Sequence, residues 1–261
     1  GGVDPATNLW VLATGTKESV PVDYLYGQNE RVITGLELED RLEQAGLGTG
    51  AVGTGGAGTG DSAEVAAARA ALPNEAVFIQ CVGSRDDNRP YCSRTCCTES
   101  LKNALRLKEL KPEARVFVLY RDIRSYGVLE KYYKQAREAG VIFVNYDPET
   151  NKPEVVVGAG AGTGGAGAGG SVGPLTVKVK DGSTGYDLVL HPDNIILAAA
   201  AVPAEGVTKL GTMLKVPVNE DGFFLETHAK LFPMDFPSNG IYMCGAAHSP
   251  KFIAEAMFQA R

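Results

Sequence analysis

The chain is short of histidine. His191, His228 and His248 are the three it holds in 261 residues. No Ser/His/Asp grouping and no paired carboxylates stand out around them, so hydrolytic chemistry has no candidate machinery. His191 precedes Pro192 in a turn, and His228 and His248 read as surface or hydrogen-bonded side chains. Long apolar runs are also missing. Nothing approaches the ~18–20 residues that cross a bilayer, so any membrane link runs through a partner. Excess positive charge is absent: the net charge is −6 and the pI about 5.2, which argues against nucleic acid as a partner. No signal sequence is recognisable, and the expectation is a reducing, cytoplasmic setting. What remains is the composition of a globular protein, 44% hydrophobic and 21% charged, long enough for one large core or two modest ones.

Cysteine is the exception to this scarcity. Four of the five fall in Ala76–Leu107, AVFIQCVGSRDDNRPYCSRTCCTESLKNALRL, as Cys81, Cys92, Cys96 and Cys97. The stretch opens on an apolar run, Ala76–Gln80, that predicts a buried strand. It closes on a helical pattern from about Thr95, apolar at Leu101, Ala104, Leu105 and Leu107. A strand-to-helix turn of this kind in a nucleotide-binding domain carries glycines that let phosphate reach the helix N-terminus. Thiols mostly replace them here, which suggests an anionic iron–sulfur cluster at the same positive helix end. Two disulfides would require poor geometry at adjacent Cys96 and Cys97. Zinc favours two separated C-x2-4-C pairs, but zinc and inert or redox thiols stay open on spacing alone. The fifth thiol, Cys244, sits inside an apolar strand and reads as buried and inert.

The run CVGSRD…RPYCSRTCC, a lysine-containing helix, and then VFVLYRDIRSYG resembles the A-subunit family of the heterodisulfide reductases, which includes flavin subunits of quinone-interacting oxidoreductase complexes. The resemblance covers most of the chain outside two glycine-rich inserts. It implies a [4Fe–4S] cluster on Cys81, Cys92, Cys96 and Cys97, an FAD, and an electron-transfer oxidoreductase subunit that works within a multi-subunit complex of anaerobic metabolism. Arg85, Arg89 and Arg94 would then stabilise the thiolates. Arg121 and Arg124, at a predicted strand end, read either as solvated or ion-paired charge, or as groups that stabilise the cluster charge or contact a partner subunit. The alternative reading is a structural subunit with a metal site and no functional flavin.

The resemblance also implies the fold: an α/β, thioredoxin-reductase-like flavoprotein with two dinucleotide-binding domains, built on a three-layer doubly wound sheet with an antiparallel meander. Residues 1–45 would be part of the FAD-binding domain and a connector. A glycine-rich linker and a helix would occupy 46–75. Residues 76–203 would form an NAD(P)-binding-like domain carrying the cluster, with a glycine-rich insert at 158–173, and 204–261 would return to the FAD domain. The GxGxxG half of an FAD domain is not found ahead of these segments, and the chain reads as a fragment of a longer subunit. Gly48, Gly50 and Gly53 match GxGxxG formally, but no strand precedes them and no helix follows.

Local patterns fill in the elements. Leu9–Gly15 predicts a strand, Val32–Ala45 an amphipathic helix with a Thr34/Glu37 capping box, and Asp61–Ala71 a helix. Arg115–Tyr120 and Val141–Tyr146 predict strands around a helix at Val128–Ala139. Glu154–Val157, Leu175–Val179 and Asp187–Leu190 alternate as a meander, and Ile195–Leu197 closes the sheet. Phe223–Thr227 and Gly240–Cys244 predict strands, with a helix opening near Pro250. Small residues at strand ends allow close backbone approach to a dinucleotide. Within the resemblance, Thr14 and Gly15 lie near the FAD, and Gly245, Ala246, Lys251, Phe252 and Ile253 contact it. Ala198–Ala201 stand where the family often has a second ATG-like element, so NAD(P)H binding is not expected.

Overall fold

The computed structural model describes residues 9–46, 63–158 and 173–261. The glycine-rich tracts read as linker and insert lie almost wholly outside these residues. Along the chain, β1 (Trp10–Leu12) and β2 (Thr16–Glu18) precede β3 (Val32–Thr34) and α1 (Gly35–Gly46). The helix read within Val32–Ala45 starts at Gly35, directly after its Thr34 cap, and Val32–Thr34 are a strand, since three successive β-branched residues suit a pleated backbone. Its capping box is present: the Thr34 N–H donates to Glu37 Oε2 at 2.7 Å, and the Glu37 N–H donates to Thr34 Oγ1 at 3.4 Å. Helix α2 (Ala63–Ala70), β4 (Glu75–Val82) and α3 (Cys96–Leu110) follow. Next come β5 (Arg115–Tyr120), a 3-10 turn at Gly127–Leu129, α4 (Glu130–Glu138) and β6 (Ile142–Asn145). Strands β7 (Glu154–Val157), β8 (Leu175–Lys180), β9 (Asp187–Leu190) and β10 (Asn194–Ala199) form the next group. The chain continues through β11 (Ala201–Pro203), α5 (Val207–Leu214), β12 (Ile241–Met243) and α6 (Ile253–Gln259).

These elements fall into two compact units. One comprises Pro21–Val82 and Cys96–Ala199; the other gathers the chain up to Val20 with Gly83–Thr95 and Ala200–Arg261.

The unit from Pro21 is three-layered. Its central sheet has the order β3-β10-β4-β5-β6, and every pair is parallel. Side chains alternate across it with period two. Ile33, Phe78, Val116, Val118 and Ile196 face one cluster with Leu38, Leu42, Leu101, Ala104, Leu107 and Ala136 of the helices. Their neighbours Val32, Val77, Ile79, Phe117, Leu119 and Leu197 face the other way, against Leu175, Val177 and Leu190 of the meander. The meander is antiparallel, in the order β7-β8-β9. A sheet buried on both faces reads as continuous apolar runs, which is why β4, β5 and β10 were visible in the sequence.

In the other unit, β1 pairs in parallel with β12, and β2 pairs antiparallel with β11. Leu12, Val207, Val216, Phe224, Phe236 and Met243 form its core. Phe224 and Phe236 meet edge to face at 5.6 Å, a favoured arrangement for aromatic rings. The strand expected over Phe223–Thr227 reduces to a single bridge between Phe224 and Val218. No helix among the described residues is long and apolar enough to cross a membrane.

Candidate cysteine centre and flavin-facing strand ends

Cys81 lies near the end of β4, where register with β10 slips: Ile79 faces Leu197, but Val82 faces Ala199. The chain absorbs the slip at Cys81, whose φ is +62°. A left-handed conformation costs a non-glycine residue roughly 1–2 kcal/mol. Such strain persists only where the surroundings enforce it, and it clusters at functional positions. The bulge re-aims the thiol out of the strict strand alternation.

Cys96 and Cys97 are the first two residues of α3, and both are buried against Ala198. A fifteen-residue helix presents free N–H groups and a positive dipole end there. The Cys97 thiol is brought down to about 7. A hydrogen bond from Cys96 is the main cause; burial opposes it, and the main-chain N–H and charge of Arg124 add to the lowering against Asp122. The Arg124 side chain also pairs with Asp122, Nε to Oδ2, at 3.2 Å. Two buried polar atoms, Gln80 Oε1 and Thr98 Oγ1, have no hydrogen-bond partner. Each belongs to a residue adjacent to a cysteine. Among the described residues, no group of three or more His, Cys, Asp or Glu side chains is set to hold a metal ion.

Cys92 belongs to the other unit, with the loop Gly83–Thr95. This loop is tied down within that unit. The Arg85 N–H bonds Tyr91 O at 3.1 Å, and Asp86 Oδ1 accepts from the N–H groups of Asn88 and Arg89. Tyr91 donates its hydroxyl to Ala201 O at 2.9 Å and stands edge-on to Phe223 at 5.5 Å. Buried Ser93 accepts from the Ala201 N–H at 2.9 Å. The Arg94 N–H points at Cys92 Sγ, 3.3 Å away. Arg89 Nη1 donates to Gly83 O at 3.2 Å, and the Arg94 guanidinium donates to Pro250 O and Glu255.

Four of the flavin candidates, Thr14, Gly15, Gly245 and Ala246, follow one strand pair. Leu12 and Met243 are in register on the parallel pair β1–β12, and the Cys244 N–H donates to Leu12 O at 3.0 Å. Thr14–Gly15 and Gly245–Ala246 therefore follow adjacent strands at their carboxyl ends, where open α/β sheets bind ligands. Gly15 has φ +72°, and a Cβ placed on it would meet nothing within 4 Å. Gly245 has φ +70°, and its N–H bonds Gln259 Oε1 at 3.0 Å. Helix α6 opens at Ile253 rather than near Pro250, since the Phe252 N–H is capped by Glu255 at 2.8 Å. Lys251 is half-buried, and burial lowers its ammonium below the usual lysine range. Phe252 is also half-buried and Ile253 exposed.

The sequence did not reveal what holds Lys251. Its Nζ lies 3.3 Å from His248 Nδ1, and His248 Nε2 lies 2.8 Å from Glu226 Oε2. Glu226 and His248 are separated by a loop and a strand, and no local pattern links them. Burial pushes the Glu226 carboxyl up, but its main-chain bond and His248 outweigh that and hold it below the usual range. A depressed folded-state pKa adds stability in full above the unfolded value, and the gain is lost as pH falls through the folded one. Glu226→Gln should therefore be measurably less stable than the parent at pH 6, with the difference closing towards pH 3. Urea midpoints measured across that range check this, and a pH-independent difference would refute it.

No family model matches the chain. The chain is 33% identical to the A-subunit of the H(2):CoB-CoM heterodisulfide,ferredoxin reductase of Methanothermobacter thermautotrophicus, over 96% of its own length and 35% of that protein. It is 34% identical to the A-subunit of the ferredoxin:CoB-CoM heterodisulfide reductase of Methanosarcina acetivorans, over 96% and 32%. It is 36% identical to the iron-sulfur A-subunit of the CoB–CoM heterodisulfide reductase of Methanocaldococcus jannaschii, over 92% and 33%. The chain thus spans about a third of the length of the curated relatives it matches. Among solved structures, thioredoxin reductases of T. acidophilum and Lactococcus lactis share its fold. Both give a TM-score of 0.51, over 96% of this chain and 62% of theirs, at 14% and 13% identity.

Proposed function

Because this chain belongs to the A-subunit family of the heterodisulfide reductases, on a fold of the thioredoxin reductase type, we propose that it carries electrons between an FAD and a [4Fe–4S] cluster and on to partner subunits. The observation that carries the reading is the thiol pair at the start of α3. A doublet of buried cysteines with one thiol lowered to about 7 is suited to binding iron as thiolates. Cys96 and Cys97 would be two ligands, with Cys81 at its strained bulge and Cys92 in the loop as the others.

The surroundings of the adjacent thiols Cys96 and Cys97, and the open strand ends at Gly15 and Gly245, support this reading. Helix-start N–H groups and Arg124 favour an anionic cluster, and the Thr98 hydroxyl is a buried donor left over for a sulfur. Thr14, Gly15, Gly245, Ala246, Lys251, Phe252 and Ile253 would hold the flavin, with Gly15 offering an approach that no side chain blocks. When bound, the two groups supply the one- and two-electron chemistry. The protein's own share is to hold them, exclude water from the buried thiols, and present the Lys251 charge to the flavin edge. The four-cysteine loop in place of a glycine-rich turn leaves NAD(P)H without a phosphate site.

The test is a visible spectrum and iron assay of the full-length protein purified without oxygen. Flavin bands over a broad iron–sulfur shoulder are the expected result. A folded, colourless and iron-free protein would refute the proposal and favour a structural role.

A further inference from the structure

We infer that Arg94 is a positioning residue that clamps the Cys92 loop to the Pro250–Glu255 segment, so that a cluster ligand and the flavin-facing segment are held as one piece. Its function as a link between cofactors rests on the reading above, but the clamp itself stands on contacts within one unit.

Arg94 makes four of them. Its main-chain N–H donates to Cys92 Sγ at 3.3 Å. Its guanidinium donates from Nη1 to Pro250 O at 3.2 Å and from Nη2 to Glu255 Oε1 at 2.7 Å. The same group lies over the Phe252 ring, 5.7 Å from its centroid. The far end of the clamp is itself fixed. Glu255 Oε2 accepts the Phe252 N–H at 2.8 Å, so its carboxylate uses one oxygen to cap α6 and the other to hold Arg94. The bond from Arg94 is the chief reason the Glu255 carboxyl sits below its usual range.

An ordinary exposed ion pair contributes little and places no demand on the backbone. Arg94 differs because its φ is +61°, a conformation unfavourable for any residue with a Cβ. A left-handed arginine is retained where the surroundings over-determine it. Here the same residue brings its N–H to the thiol and its side chain to Pro250 and Glu255. The planar guanidinium matters as well, because it bonds a carboxylate and a carbonyl while stacking on a ring, which an ammonium cannot reproduce.

Arg85, Asp86, Asp87 and Arg89 share the loop with Arg94; on the far side of the clamp are Glu255, Lys251, His248 and Glu226, and Cys244 acts on Lys251. None of them replaces the Arg94–Glu255 bond.

The experiment uses the full-length protein, as purified without oxygen, in four forms: parent, Arg94→Lys, Arg94→Gly and Glu255→Gln. Arg94→Gly keeps the left-handed backbone and removes only the side chain. Glu255→Gln lies outside the Cys92 loop and reaches it through Arg94. Hydrogen–deuterium exchange is read for peptides covering 91–95 and 251–257, and the low-temperature EPR spectrum is recorded after reduction. Exchange in 91–95 should rise about tenfold in Glu255→Gln and Arg94→Gly, the scale expected for losing a charge-assisted hydrogen bond from a local opening equilibrium. Arg94→Lys should fall between these and the parent. The EPR line positions should move in the same order. Faster exchange confined to 251–257 in Glu255→Gln, with the loop and the EPR lines unchanged, would overturn the clamp. A parent protein with no cluster signal would instead overturn the functional reading, and the exchange data would still decide whether the clamp exists.

Discussion

Replacing Cys81, Cys92, Cys96 or Cys97 by alanine, one at a time, is expected to strip the protein of its iron, whereas Cys244→Ala leaves it in place. A [4Fe–4S] cluster takes four thiolates, and the loss of one leaves an iron with no protein ligand and a site open to water. The four positions are unequal in the apo chain. Cys96 and Cys97 are buried and touch each other, so alanine there also removes the hydrogen bond that lowers the Cys97 thiol. Cys81→Ala keeps a residue with a Cβ at φ +62°, so the bulge and its strain remain and the effect reports the sulfur alone. Cys244 differs from all of them: its Sγ lies 3.6 Å from Ala256 O of α6, a weak contact. Iron content and EPR of the five variants decide. Full iron in Cys81→Ala together with loss in Cys244→Ala would mean that the fourth ligand is Cys244.

The second large effect concerns the flavin. Gly15→Ala should fold yet lose FAD affinity by about tenfold or more, since a methyl group would stand between the backbone and the cofactor. The protein itself has room for that methyl, because nothing lies within 4 Å of the Cβ position. The cost to the fold is then only that of a left-handed alanine, ~1–2 kcal/mol. Gly185 provides the control. It has φ +77° and equally open space, but it sits in the turn between β8 and β9. Gly185→Ala should show a similar drop in stability with FAD affinity unchanged. If both variants bind FAD like the parent, Gly15 does not face the cofactor.

Much of the sheet was legible because its signals are local. Val116–Tyr120 is an unbroken apolar run, and the strand predicted over Arg115–Tyr120 is β5 with the same bounds. The Thr34/Glu37 capping box depends on two residues three apart, and the meander on simple alternation. What escaped the sequence depends on distant partners. Thr16–Glu18 has no apolar alternation and read as connector, and it is a strand only because Ala201–Pro203 lies beside it. Phe223–Thr227 has the composition of a strand but finds only one bridging partner. The same holds at the site. The cysteines and Gly245 were visible as residue types in a pattern. The Glu226–His248–Lys251 chain and the reach of Arg94 to Glu255 were not, since no spacing rule joins side chains from separate loops.

The division of the chain bears on how it can assemble. The unit containing β1 and β12 is made of three separate stretches, and its founding strand pair joins Leu12 to Met243, from opposite ends of the described sequence. Closing so long a loop carries a large entropic cost before any contact rewards it. In the other unit β4, β5 and β6 are sequence neighbours, while β10 returns to lie between β3 and β4. Cys81, Cys96 and Cys97 belong to that unit, and Cys92 to the one that needs Met243. Since Pro250–Glu255 is synthesised long after all four, the Cys92 loop gains its Arg94 anchor only once the chain beyond β12 has been made.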